Sequence, residues 1–230
     1  IDDNFHFTQM KPAETNIDFN NAITENDSVN VFTNEYMYNG SGVGIGDFNN
    51  DGLQDVFFCG SMVSSKLYLN KGNFKFENVT DKAGLQTNQW CTGVSVVDIN
   101  SDGFLDVYVC VSHSNKSEKR KNLLFINDGK LNFSEQAESY GLADTGYATQ
   151  AAFFDYDKDG DLDMYLMRNS FVDYNRNNAR EMKSKIESSS TTDKLFRNDG
   201  NLPAGQAGLK FTDVSKEAGI TIEGFGLGVA

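Results

Sequence analysis

Cysteine and histidine are scarce in this chain of 230 residues, with three of the first and two of the second. The odd cysteine count rules out a fully paired disulfide framework within the chain. With no Cys-x-x-Cys and no histidine cluster, nothing supports a zinc site. Cys59 and Cys110 each stand four residues after an aspartate, in DVFFCG and DVYVCV, and read as small apolar residues of buried strands. Basic residues are the minority, and the net charge of −13 points away from nucleic acid. No apolar run approaches the ~20 residues that span a bilayer. The opening IDDNFHFTQM lacks the basic start and apolar core of a signal peptide, as a trimmed N-terminus also would. There is no Gly-x-Ser-x-Gly elbow, phosphate-binding glycine loop or histidine-containing triad, so an enzyme is not expected.

What the chain has in quantity is aspartate in one pattern. DFNNDGLQD (47–55), DINSDGFLD (98–106) and DYDKDGDLD (155–163) share a nine-residue layout: acid at 1, Asn or Asp at 3, Asp-Gly at 5–6, Asp at 9. One copy would be ordinary turn material; three copies of one layout call for a common purpose. Oxygens at 1, 3 and 5 of a tight loop converge, and glycine at 6 permits the sharp turn. A carbonyl at 7 and a carboxylate at 9 complete an all-oxygen shell that suits Ca²⁺ better than the smaller, more strongly hydrated Mg²⁺. An EF-hand would need glutamate at position 12, where Phe58, Val109 and Leu166 stand in apolar runs, so these are loops between strands. The loops hold eleven of the thirty-three acidic residues, and three bound Ca²⁺ would bring the net charge to −7.

The repeat is larger than the loop. Apolar runs follow each one (DVFFCG, DVYVCV, DMYLMR), then KLYLNKG, NLLFINDG and KLFRNDG, then FKFENVTDKAGL, LNFSEQAESYGL and LKFTDVSKEAGI. Phe76 to Asp98 and Phe133 to Asp155 are both 22 residues, and Trp90 and Tyr147 each precede their Asp by eight. Units of this length with four short strands predict an all-β protein built of β-propeller blades, at about 41–85, 90–142 and 147–220, with the start of another at 225–230.

SGVGIGDFNNDGLQDVFFCG and GYATQAAFFDYDKDGDLDMYL resemble the core of the FG-GAP (VCBS) repeat, whose blades are like those of the integrin α-subunit propeller. More loosely, TNIDFNNAITENDSVNVF followed by repeats is similar to surface lipoproteins of Bacteroidota. The resemblance implies three calcium sites between the first and second strands. Their ligands would be Asp47, Asn49, Asp51, the Leu53 carbonyl and Asp55; then Asp98, Asn100, Asp102, the Phe104 carbonyl and Asp106; then Asp155, Asp157, Asp159, the Asp161 carbonyl and Asp163. It also implies a calcium-binding interaction module on a bacterial, outer-membrane-associated surface, with a protein or glycan partner; outer-membrane proteins are among the candidates. The rival readings are an architectural subunit of a nutrient-uptake assembly and part of a polysaccharide-acting enzyme.

Two insertions depart from the repeat, SHSNKSEKRK (112–121) and residues 168–193, the latter with a short helix around 178–187. Both join second to third strands, opposite the calcium loops. Trp90, Tyr147 and Phe225 should lie toward that face with Lys116, Lys119, Arg120 and Lys121. Either these residues form a partner surface, or the aromatics wedge between blades and the charges are merely solvated. Three blades are too few for a ring, so the chain reads as part of a larger protein. Within the segment 1–40, NFHFTQM (4–10) resembles NFKFENV (73–79). It is expected either to close the ring as a last strand or to drape over the first blade.

Overall fold

The computed structural model describes residues 8–32, 36–114, 116–169, 190–201 and 209–221. Three four-stranded antiparallel sheets follow one another along the chain. The first comprises β1 (Val43–Gly46), β2 (Asp55–Phe58), β3 (Lys66–Asn70) and β4 (Phe76–Asn78). The second comprises β5 (Cys91–Val97), β6 (Asp106–Val111), β7 (Leu123–Asn127) and β8 (Phe133–Glu135). The third comprises β9 (Ala148–Phe154), β10 (Asp163–Arg168), β11 (Lys194–Asn201) and β12 (Leu209–Asp213). Each sheet is a meander in which every strand pairs with its sequence neighbour, the order of a propeller blade. Among the described residues the α-helices are single turns: α1 (Pro12–Thr15), α2 (Thr80–Ala83) and α3 (Ala137–Tyr140). The last two end on Gly84 and Gly141, each at φ 76°.

The period-2 alternation of DVYVCV explains how the blades stack. Val107, Val109 and Val111 face the first blade in a core with Phe57, Leu67, Leu69 and Phe133. Tyr108 and Cys110 face the third blade with Met164, Leu166 and Phe211. Every residue of β6 is therefore buried, because a central blade is covered on both faces. The three cysteines are buried free thiols.

The first strands of the blades approach most closely. A Cβ on Gly44 would lie 2.7 Å from Val96 Cγ2, and one on Gly42 would lie 2.6 Å from the Val94 nitrogen, so the alternating glycines of SGVGIG let β1 press against β5. Side chains then bridge blade to blade: the Ser41 hydroxyl donates to the Cys91 carbonyl at 2.8 Å, Thr92 to Ala148 at 2.8 Å and Ser95 to Ala151 at 2.6 Å. On its other face β1 leaves Val43 and Ile45 more than half exposed.

The N-terminal segment lies along that same end of the stack. The Tyr68 hydroxyl donates to Asp18 at 2.6 Å, Phe19 stacks on Phe58 with ring centroids 5.1 Å apart, and Asn21 accepts the Ser61 amide at 2.9 Å. Thr8, Gln9 and Met10 are exposed and outside any strand; the rest of the 4–10 motif falls outside the described residues.

Gly93 gives the sharpest test of the close inner packing. An added Cβ would sit 2.2 Å from the Thr149 carbonyl oxygen, a backbone atom. Gly93→Ala is expected to cost about 1–3 kcal/mol by overpacking, read as a lowered urea midpoint at unchanged slope.

Candidate metal loops and the opposite face

Each acidic loop connects a first strand to a second, and all three take one shape. Position 4 is left-handed in every copy (Asn50 φ 54°, Ser101 φ 56°, Lys158 φ 67°), as is the glycine at position 6 (φ 86°, 88° and 97°). The position-1 aspartate holds the turn from inside. In the first loop Asp47 accepts the Asp51 amide at 3.0 Å and the Gly52 amide at 2.7 Å. Asp98 does the same for Asp102 and Gly103, both at 3.0 Å. In the third loop Asp155 accepts Lys158 at 2.7 Å and Gly160 at 3.2 Å.

Position 9 is built differently from positions 1, 3 and 5. Asp55, Asp106 and Asp163 are fully buried, and both carboxylate oxygens of each accept backbone amides. One amide belongs to loop position 2 (Phe48 at 3.0 Å, Ile99 at 3.2 Å, Tyr156 at 2.8 Å). The other belongs to an asparagine of the third strand (Asn70 at 2.7 Å, Asn127 and Asn198 at 2.8 Å). That asparagine completes the joint. Its amide group donates to the position-8 carbonyl of Gln54, Leu105 or Leu162 at 3.0–3.3 Å. Its oxygen accepts the glycine amide two residues on, at 2.9–3.1 Å. The asparagines stand in LNKG, INDG and RNDG, so the repeat displayed them, but only the third dimension gives them this role. Burial pushes the Asp106 carboxyl up to about 7 against the opposing pull of its two amides, and raises that of Asp55 in the same way.

The third loop is the most acidic. One oxygen each from Asp155, Asp157 and Asp159 lies within 4.8 Å of the others, all exposed; Asp163, held by its amides, is not in that group. Asp161 presents a carboxylate at position 7 as well as its carbonyl, and its Oδ1 is enclosed without a hydrogen-bond partner. Burial, then the charges of Asp159 and Asp163, push this carboxyl up to about 6. An orphaned carboxylate oxygen beside three converging carboxylates fits a hard cation with oxygen ligands. In the first two loops the asparagine amide spans positions 3 and 5 instead: Asn49 donates to Asp51 at 2.9 Å and Asn100 to Asp102 at 2.8 Å. At position 7 the Leu53 amide donates to Asp51 and the Phe104 amide to Asp102, both at 2.9 Å.

The 112–121 insertion leaves from the opposite ends of the strands, and there the expectation of uniformly available basic residues needs correction. Arg120 is 5% exposed: its Nε donates to the Thr145 carbonyl at 3.0 Å, and its guanidinium lies over the Tyr147 ring at 4.1 Å. It holds the connector into the third blade, a role sequence could not supply because Thr145 and Tyr147 lie 25 and 27 residues away. Trp90 contacts His113, with ring centroids 3.9 Å apart. Lys116 and Lys119 are exposed, and Lys121 pairs with Glu138 at 2.5 Å. Sequence reasoning missed Arg168, which is buried, pairs with Asp144 and donates to the Thr192 carbonyl at 3.2 Å. Phe225 and the helix expected around 178–187 lie outside the described residues.

Stacked four-stranded blades, each with an Asp-rich loop between its first two strands, define a repeat protein of the propeller-blade class. The FG-GAP-like repeat model matches two adjacent stretches, residues 47–109 and 110–166, together just over half of the chain. The chain belongs to the FG-GAP repeat family. No curated protein matches it.

Three substitutions separate the structural roles. Asp106→Ala leaves the Ile99 and Asn127 amides without acceptors and is expected to cost about 2–5 kcal/mol. Arg120→Ala should lower the melting temperature clearly, whereas Lys119→Glu, at an exposed position, should stay within about 0.5 kcal/mol of the parent. Thermal and urea unfolding of the three variants checks both.

Proposed function

We propose that this chain is a calcium-stabilised interaction module working outside the cytoplasm on a bacterial surface, with a protein or glycan partner on the face opposite the acidic loops. One observation carries the calcium reading: the third loop gathers three exposed carboxylates within 4.8 Å beside the partnerless Asp161 oxygen. Like charges that close repel unless a cation sits among them. The first two loops repeat the same backbone path with an asparagine in place of one carboxylate, which lowers the charge and keeps the oxygen. Position 9 contributes through the lone pairs its amides leave free. For the partner face, the support is Trp90, Tyr147 and the exposed Lys116 and Lys119, carried on connectors anchored by Arg120. Among the described residues no helix is long and apolar enough to cross a membrane.

Isothermal calorimetry with CaCl₂ tests this reading. Three sites are expected, the third tightest because affinity follows the count of charged ligands, with Asp157→Asn weakening it about tenfold. At free calcium 100 times Kd each independent site should add about 2.7 kcal/mol to stability. A melting temperature unmoved by chelator, with no heat of binding, refutes it.

A further inference from the structure

On a chain of net charge −13, one groove is basic. It lies where the outer strands of the first blade meet the β7–β8 turn of the second, with a volume of about 270 Å³. Three lysines line it, Lys71, Lys82 and Lys130, against the single acid Glu77. Lys71 pairs with Glu77 at 3.5 Å, with both side chains more than half exposed. Among the described residues no ion pair holds Lys82 or Lys130. Between the cations the lining is apolar, with Leu69 and Leu131 among it; Asn49 and Asn132 complete it, their amides donating to Asp51 at 2.9 Å and to Asp128 at 2.8 Å.

The repeat itself shows that the fold does not require these cations. Counting from the asparagine joint, blade 2 has Asp128 where blade 1 has Lys71, and Ser139 where it has Lys82; blade 3 has Asn201 where blade 2 has Lys130. A structural need would recur at each junction. This one does not.

We infer that the groove is a subsite for an acidic saccharide, a pyranose bearing a carboxylate or a sulfate. The lysine ammonium groups supply point charges for the oxyanion. The apolar lining takes the C–H face of a sugar ring beside the charged groups, the usual pairing of apolar walls with a few polar ones. The volume matches one or two sugar units. The groove is separate from the face opposite the loops, so the inference does not rest on the partner reading above.

The test is a titration of the calcium-loaded chain, followed by amide NMR shifts, with glucuronate, glucose and inorganic sulfate in turn. Glucuronate should shift the amides of Lys71, Glu77 and Leu131 with Kd on the order of 1 mM. Glucose should bind at least about tenfold more weakly, and added salt should weaken the glucuronate response. Lys82→Glu with Lys130→Glu should weaken glucuronate by about tenfold or more, while Lys119→Glu leaves it unchanged. Calcium heats measured on the same samples should be the same in all three proteins, which separates loss of this site from failure of the calcium reading. Equal binding of glucose and glucuronate, sulfate binding as tightly as glucuronate, no response to glucuronate, or an affinity unmoved by the double reversal would each overturn the inference.

Discussion

Three buried carboxylates hold this architecture together. Asp55, Asp106 and Asp163 each accept two backbone amides, one from the loop and one from the third strand. The side chain therefore fastens the loop to a strand that it does not adjoin in sequence. A carboxylate so deep is tolerable only because every oxygen is satisfied. The asparagine beside it closes the remaining polar groups of the turn. Take that joint away and the loop loses its anchor, the third strand loses its register at one end, and the face packing of the blade loosens.

The blades are joined to one another by a second device, close approach of the first strands. Alternating glycines on β1 and Gly93 on β5 remove side chains where backbones nearly touch, and hydroxyls of Ser41, Thr92 and Ser95 span the gaps. Apolar alternation then fills the wedges farther out, so β6 has one face in each of two cores. Polar stitching on the inside and hydrophobic filling outside it divide the work of holding separate sheets in a stack.

What was legible in the sequence was what is local. The Asp-Gly loops, the short strands after them and the turns at NKG and NDG are fixed by backbone preferences within a few residues, and three copies made the spacing hard to mistake. The buried state of Cys59 and Cys110 followed from the apolar runs around them. What could not be read were contacts between distant segments. Arg120 looked like one more solvated cation among lysines, yet it is buried over Tyr147. Arg168 with Asp144 left no mark in the pattern. Asp18 and Phe19, in a stretch with no repeat to align, find Tyr68 and Phe58 about 40–50 residues away. Position 9 read as one more ligand, whereas its first duty in the structure is to the backbone.

The internal hydrogen bonds of the loops have a consequence for how an ion would come and go. Because Asp47, Asp98 and Asp155 already hold their turns through backbone amides, little ordering remains to be done when a cation arrives. Association would then wait on little local folding, since an ion would find the turn already in shape. Such a site would record the presence of an ion as added rigidity rather than as movement, the behaviour of a rivet and not of a trigger.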